Sequence, residues 1–110
     1  MTTRGARHRL PSRRKSQRFT ITHGATPVHL TTGEYADGSL GEIFIDYAKQ
    51  GTFSNDMMNA FAMAVSIGLQ HGITLDTFQH TFRNFSMEPD IVRSIFAELE
   101  LHYQLPKEEA

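Results

Sequence analysis

The chain contains neither cysteine nor tryptophan. Without cysteine there is no disulfide, no thiolate metal site, no thiol nucleophile and no thiyl radical on this polypeptide. No apolar run approaches the roughly 20 residues needed to span a bilayer. The N-terminus is basic but lacks the apolar stretch of a signal peptide, so the expectation is a soluble, cytoplasmic protein. Acidic residues are missing from one end: residues 1–18 carry Arg4, Arg7, Arg9, Arg13, Arg14, Lys15 and Arg18 and no Asp or Glu. All 12 acids lie beyond them, against four cations, Lys49, Arg83, Arg93 and Lys107. The net charge of −1 therefore hides a basic arm on an acidic body. One domain is expected for 110 residues. A chain of this size buries only about 60–68% of its unfolded surface, so its core is small and oligomerisation would help it.

The arm, MTTRGARHRLPSRRKSQR, has one Leu and no other large apolar residue beyond Met1. It has nothing to bury that would offset its own ordering entropy, and residues 1–18 are read as disordered when free. Two roles follow. One is a patch of cations for phosphates, in nucleic acid or in a nucleotide, through Arg4, Arg7, Arg9, Arg13, Arg14, Lys15 and Arg18. The other is a solvated tail that folds back onto the acidic body or onto a partner.

What is there beyond the arm is an orderly alternation of elements. Phe19 to His23 alternates and is β-branched, which predicts a first strand. Pro27 to Thr32 predicts a second, with Pro27 at its start, where a missing N–H is tolerated. Asp37-Gly38 marks a turn, and Gly41 to Ala48 a third strand, with Ile43, Ile45 and Tyr47 alternating against Glu42, Phe44 and Asp46. Tight turns between them make an antiparallel meander. Ser54, Asn55 or Asp56 is placed to cap a helix that runs to about His71, with Gly72 at its left-handed C′ position. Ala60 to Leu69 is apolar except for Ser66 and Gly68, and a helix apolar nearly all round belongs inside. Thr74 caps a short second helix through about Phe85, with Leu75, Phe78 and Phe82 on one face. Pro89 opens a third, striped by Ile91, Val92, Ile95, Phe96, Leu99 and Tyr103 and stopped by Pro106. The expected fold is α+β: a small three-stranded antiparallel β-sheet with three helices mainly on one face, βββααα, over residues 19–105, with residues 106–110 frayed.

Candidate chemistry concentrates near the hairpin. Glu34, Glu42 and Asp46 form a polar group in which Glu42 and Asp46 share a strand face with Phe44. One reading is an acid–base pair or cation site, the other a charged edge that resists sheet-to-sheet association. The six histidines form no i, i+4 pair and no HExxH. His23 and His29 could meet across neighbouring strands, which gives two ligands at most, so no metal site is assigned. Gly33, Gly38 and Gly41 fit a hairpin with a bulge and match no phosphate-binding loop. Met57, Met58 and Met63 read as core filler, and the wide stripe of the third helix leaves room for a dimer face.

Three segments, GEYADGSLGEIFIDYAKQGT, MMNAFAMAVSIGLQHGITLDTF and FSMEPD, resemble the C-terminal TSCPD domain of adenosylcobalamin-dependent (class II) ribonucleotide reductases. RHRLPSRRKSQRFTI is similar to the basic linker leading into that domain, and SIFAELELHY to its closing helix, so the resemblance spans about residues 7–104. The cysteine of the pentapeptide that names the domain is absent, as are the reductase's catalytic barrel, its radical and redox cysteines, and its corrinoid- and nucleotide-binding regions. Ribonucleotide reduction needs a thiyl radical and a dithiol, and no other side chain replaces a redox dithiol. The resemblance therefore implies a stand-alone, reductase-associated binding or accessory module, without catalysis or cofactor of its own, acting on a protein partner (a reductase or another nucleotide-metabolising enzyme) or as a homodimer. Its rivals are nucleic-acid binding through the arm, and a small enzyme built on Glu42, Asp46 and a histidine.

Overall fold

Strands form where β-branched residues alternate with polar ones. In the computed structural model, which describes residues 6–23, 26–47, 53–83 and 90–103, these are β1 (Arg18–His23), β2 (Thr26–Glu34) and β3 (Leu40–Tyr47). They make one antiparallel sheet in the order β1-β2-β3. Three helices follow: α1 (Phe53–Gln70), α2 (Leu75–Arg83) and α3 (Asp90–Tyr103). The α+β architecture is the one the alternation implies, with strand ends shifted by a residue or two. Ala48, Phe85, Pro89 and Pro106, which the sequence reading placed at element ends, lie outside the described residues, as do the frayed-tail residues 106–110.

The period of two along each strand sorts the sheet into faces. Phe19, Ile21, Val28, Leu30, Thr32, Ile43 and Ile45 face the helices; Thr20, His29, Thr31, Phe44 and Asp46 face away, and Phe44 is exposed there. The core joins Val28, Leu30, Ile43 and Ile45 to Ala62 and Val65 of α1, Leu75 of α2, and Val92, Ile95, Phe96 and Leu99 of α3. Phe96, fully buried, is the hub of an aromatic cluster, with ring centroids 6.0 Å from Phe61, 5.6 Å from Phe82 and 6.3 Å from Phe78. Edge-to-face and offset arrangements at such separations add to plain area burial.

The caps divide. Thr74 does cap α2: its hydroxyl accepts from the Thr77 backbone N–H at 3.0 Å. Gly72, at φ +95°, ends α1 in the left-handed conformation that a Cβ would oppose. Ser54, Asn55 and Asp56, however, lie inside the first turn of α1, which begins at Phe53. Asn55 is used elsewhere: its side-chain oxygen accepts from the backbone N–H of Tyr47 at 3.3 Å.

That bond belongs to a set. β3 is an outer strand, and α1 runs along its open edge. The Ser66 hydroxyl accepts from Ile43 N–H at 2.8 Å and donates to Ile43 C=O at 3.1 Å; Gln70 donates to the Gly41 carbonyl at 3.1 Å. Side chains of one helix thus occupy hydrogen-bonding groups that a further strand would otherwise claim. The same placement corrects the expectation of a fully enclosed α1. β3 covers one side and the Phe61 cluster another, but three strands offer nothing for the third side, where Met57, Met63 and Ile67 are 52%, 65% and 39% exposed. Met57 and Met63 are therefore surface residues rather than core filler.

Replacing Ser66 by Ala leaves both backbone groups of Ile43 without their partner in a buried setting. Urea unfolding is expected to show a loss of about 1–3 kcal/mol, with the slope of the transition unchanged.

Candidate functional site

The described part of the arm, residues 6–17, contains no helix or strand, yet it is fastened along the body. Its lack of apolar residues, which underlay the expectation of disorder in the free state, is offset by hydrogen bonds. The Thr32 N–H donates to the Gln17 carbonyl at 2.8 Å and the Glu34 N–H to the Lys15 carbonyl at 2.9 Å, prolonging the β1–β2 ladder into the arm. Further out, the Tyr35 hydroxyl donates to the His8 carbonyl, the His8 N–H donates to the Gln70 carbonyl at 2.7 Å, and Arg7 Nε donates to Gln70 Oε1 at 2.7 Å.

Under this join lies a buried polar cluster from three distant parts of the chain. Tyr103, the last residue of α3, donates its hydroxyl to Glu34 Oε2 at 2.5 Å. Gln17 Nε2 donates to the same carboxylate oxygen at 2.7 Å and to the Tyr103 oxygen at 3.0 Å. With the phenol proton committed to Glu34, the Thr32 hydroxyl is the donor in its 2.7 Å contact with Tyr103. The Glu34 carboxyl is held below its ordinary 4.5, first by the bond from Tyr103 and then by that from Gln17. The Tyr103 phenol is pushed up from 10.0 to about 12, by burial first and by Glu34 next. Among the described residues no buried side-chain polar atom lacks a partner.

The other carboxylates are placed apart. At the bulge, Gly33 pairs with Glu42 and Glu34 with Leu40, so the register shifts by one residue. Glu42 folds over Gly33 so closely that a Cβ there would lie 2.1 Å from its Oε2. In that position it receives Arg14 Nε at 2.5 Å. Asp46 lies further along β3, exposed and in register with His29. Four residues of strand separate Glu42 from Asp46, about 13 Å, too far for a shared proton or cation. Among the described residues no three of His, Asp and Glu are grouped to hold a metal ion, and no helix is long and apolar enough to cross a membrane.

The arm's cations divide accordingly. Arg7 and Arg14 are bonded to Gln70 and Glu42. Arg9, Arg13, Lys15 and Arg18 are exposed. Arg13, Arg14 and Lys15 form one wall of an open cleft of about 420 Å³ whose other wall is Glu34, Tyr35, Ala36 and Gly38. Such a cleft can take an anion. Arg4 lies outside the described residues. Sequence reasoning missed Gln17, Thr32 and the Tyr103 hydroxyl. Thr32 did carry a signal, a polar residue at a core-facing position of an alternating strand.

Changing Tyr103 to Phe removes a donor from a buried carboxylate, and a stability loss of about 1–3 kcal/mol is expected near pH 7. A carboxyl depressed in the folded state contributes stability above its unfolded value and loses it as pH falls through the folded one. The gap between wild type and variant should therefore narrow below pH 4.5. The phenol acts in the opposite sense: its folded value is raised, so wild-type stability should fall as pH rises from 10 to 12 and the Phe variant should lack that alkaline limb. Denaturant melts across pH check both.

Comparison with known proteins places this chain. The TSCPD domain family model matches residues 3–103. The chain is 45% identical over 83 residues to the vitamin B12-dependent ribonucleotide reductase of Agrobacterium fabrum, covering 76% of this chain and 6% of that protein. It is 46% identical over 83 residues to that of Bradyrhizobium diazoefficiens, covering 76% and 7%. It is 41% identical over 86 residues to that of Streptantibioticus cattleyicolor, covering 78% and 14%. It thus spans a small part, 6–14%, of the length of these relatives. No solved structure matches it. With the family model running from residue 3 to residue 103, this chain belongs to the TSCPD domain family.

Proposed function

We propose that the chain is a non-catalytic binding or accessory module that works with an enzyme of deoxyribonucleotide synthesis, a ribonucleotide reductase or another nucleotide-metabolising enzyme of the cytoplasm. The observation that carries this reading is a TSCPD domain with no cysteine at all. Its relatives are named as reductases, whereas reduction needs a radical thiol and a dithiol that this polypeptide cannot supply. The titratable groups beside the cleft point the same way. Near pH 7 Glu34 is ionised, Tyr103 is neutral, and each is tied to its neighbours, so neither is poised to exchange a proton with a substrate. What the surface offers is recognition.

A second reading has its own support. The side chains of Arg9, Arg13, Lys15 and Arg18 are exposed, with Lys15 near enough to Glu34 to help hold its carboxyl down. They are available to phosphates, and binding of nucleic acid or a nucleotide through them would be strongly weakened by salt.

Mixing the purified chain with a purified B12-dependent ribonucleotide reductase and measuring native mass and turnover separates these readings. Under the first, a complex forms, the reductase's rate or effector response changes, and the chain alone forms no deoxyribonucleotide. Absence of a complex at micromolar concentrations overturns the reductase as its partner. Under the second, a labelled single-stranded oligonucleotide binds, and replacing Arg9, Arg13, Lys15 and Arg18 by Ala abolishes the binding.

A further inference from the structure

The cleft of about 420 Å³ between the arm and the turn after β2 falls within the roughly 300–1,000 Å³ range of small-molecule sites. Both of its walls are held in place before anything binds. On the body side, Tyr35 N–H donates to the Ser39 carbonyl and Gly38 N–H to the Tyr35 carbonyl, each at 2.9 Å, and Asp37 accepts from both the N–H and the hydroxyl of Ser39. On the arm side, the Lys15 carbonyl is fixed by Glu34 N–H. The Arg14 guanidinium is gripped twice, Nε by Glu42 at 2.5 Å and Nη1 by the Pro11 carbonyl at 2.8 Å. Neither grip uses Nη2, which carries two more N–H donors. The exposed side chains of Arg13 and Lys15 stand on either side of it in sequence and line the same cleft. The carboxylates nearby are already engaged. Glu34, the one acid among the described lining residues, receives Tyr103 and Gln17 on Oε2 and feels Lys15 beside it, while Glu42 receives Arg14.

We propose that this cleft binds a short chain of phosphates, seated between the arm and the turn, with Arg14 Nη2, Arg13 and Lys15 as its donors. The inference rests on the second reading above, that cations of the arm meet phosphates, and narrows it to a compact ligand in one place. Cationic side chains from three successive residues match an anion that carries several charges rather than a single phosphate group. A planar guanidinium held at two of its three nitrogens has little freedom left to lose when the third meets a phosphate oxygen. A ligand seated against both walls also ties the arm to the body, so binding and arm docking strengthen each other. Inorganic polyphosphate and the phosphate tail of a nucleotide offer the same chemistry to these donors.

Calorimetric titration of the full chain with inorganic triphosphate and with ATP, at low ionic strength, tests the proposal. Triphosphate is expected to bind at one site per chain, and ATP to compete for that site. Arg13→Ala and Lys15→Ala should each raise the triphosphate dissociation constant by about 10-fold. Ala36→Asp alters none of the cations but places a carboxylate on the opposite, exposed wall, and a similar loss of about 10-fold is expected. Met57→Asp makes the same change of charge on an exposed residue of α1, near the far end of β3 where Asn55 meets Tyr47, and should shift the constant by less than about twofold. Failure of triphosphate to bind at millimolar concentration overturns the proposal; if an oligonucleotide still binds, the second reading stands without it. Equal losses in Ala36→Asp and Met57→Asp also overturn it, because they show general attraction and no site. So does binding of ATP without binding of inorganic triphosphate, which makes the nucleoside the recognised group.

Discussion

The hydrogen bond from Tyr103 to Glu34 ties together parts of the chain that lie far apart in sequence. It links the last turn of α3 to the end of β2, 69 residues earlier in sequence, and Gln17 extends it to the arm. A carboxylate in that position would be expensive alone. With two donors on one oxygen it becomes a fixed point. The arm's ladder bonds to Thr32 and Glu34 lie at the same place, so residues 15–17 and the end of α3 share one set of polar partners. Apolar burial supplies most of the energy of such a domain, but burial has no direction. The polar cluster decides where the ends of the chain come to rest.

α1 solves a different problem. A three-stranded sheet has two edges and too little area to support three helices stacked over its face. Placing α1 along β3 lets one helix cover part of the face and satisfy the edge, through Ser66, Gln70 and Asn55. The Phe96 cluster then fills the space between α1, α2 and α3. What that arrangement leaves over is the outer side of α1. Met57, Met63 and Ile67 are exposed because of where the helix must stand to close the edge, not because its sequence is polar there.

How far this was legible in the sequence follows from what kind of information each feature needs. The meander and the three helices are local: alternation at Phe19–His23 and Ile43–Tyr47, Asp37-Gly38, Thr74 and Gly72 each act within a few residues. The exposed side of α1 was misread because hydropathy reports what a helix prefers and not how much neighbouring surface exists to satisfy it. The polar cluster was out of reach for another reason. Gln17, Thr32, Glu34 and Tyr103 are far apart in sequence, and Tyr103 fits an apolar stripe equally well with or without its hydroxyl. Only the unexpected Thr at a core-facing position of β2 hinted at a partner.

The basic arm shows why counting charge is not enough to say what charge does. An arm with seven cations is drawn to a body with all the acids, but a diffuse attraction would leave it free to slide. Here the attraction is given an address. Gly33 has no side chain, so Glu42 can lie across the sheet in the space a Cβ would fill; lying there, it is largely withdrawn from water and presents one oxygen to Arg14. Any side chain at position 33 would push Glu42 outward and turn a located ion pair into an ordinary surface one, worth little. The glycine thus fixes the carboxylate, the carboxylate fixes Arg14, and Arg14 sets where its neighbours Arg13 and Lys15 emerge at the cleft. The direction in which those two residues leave the arm is thus determined by an atom that is absent from β2.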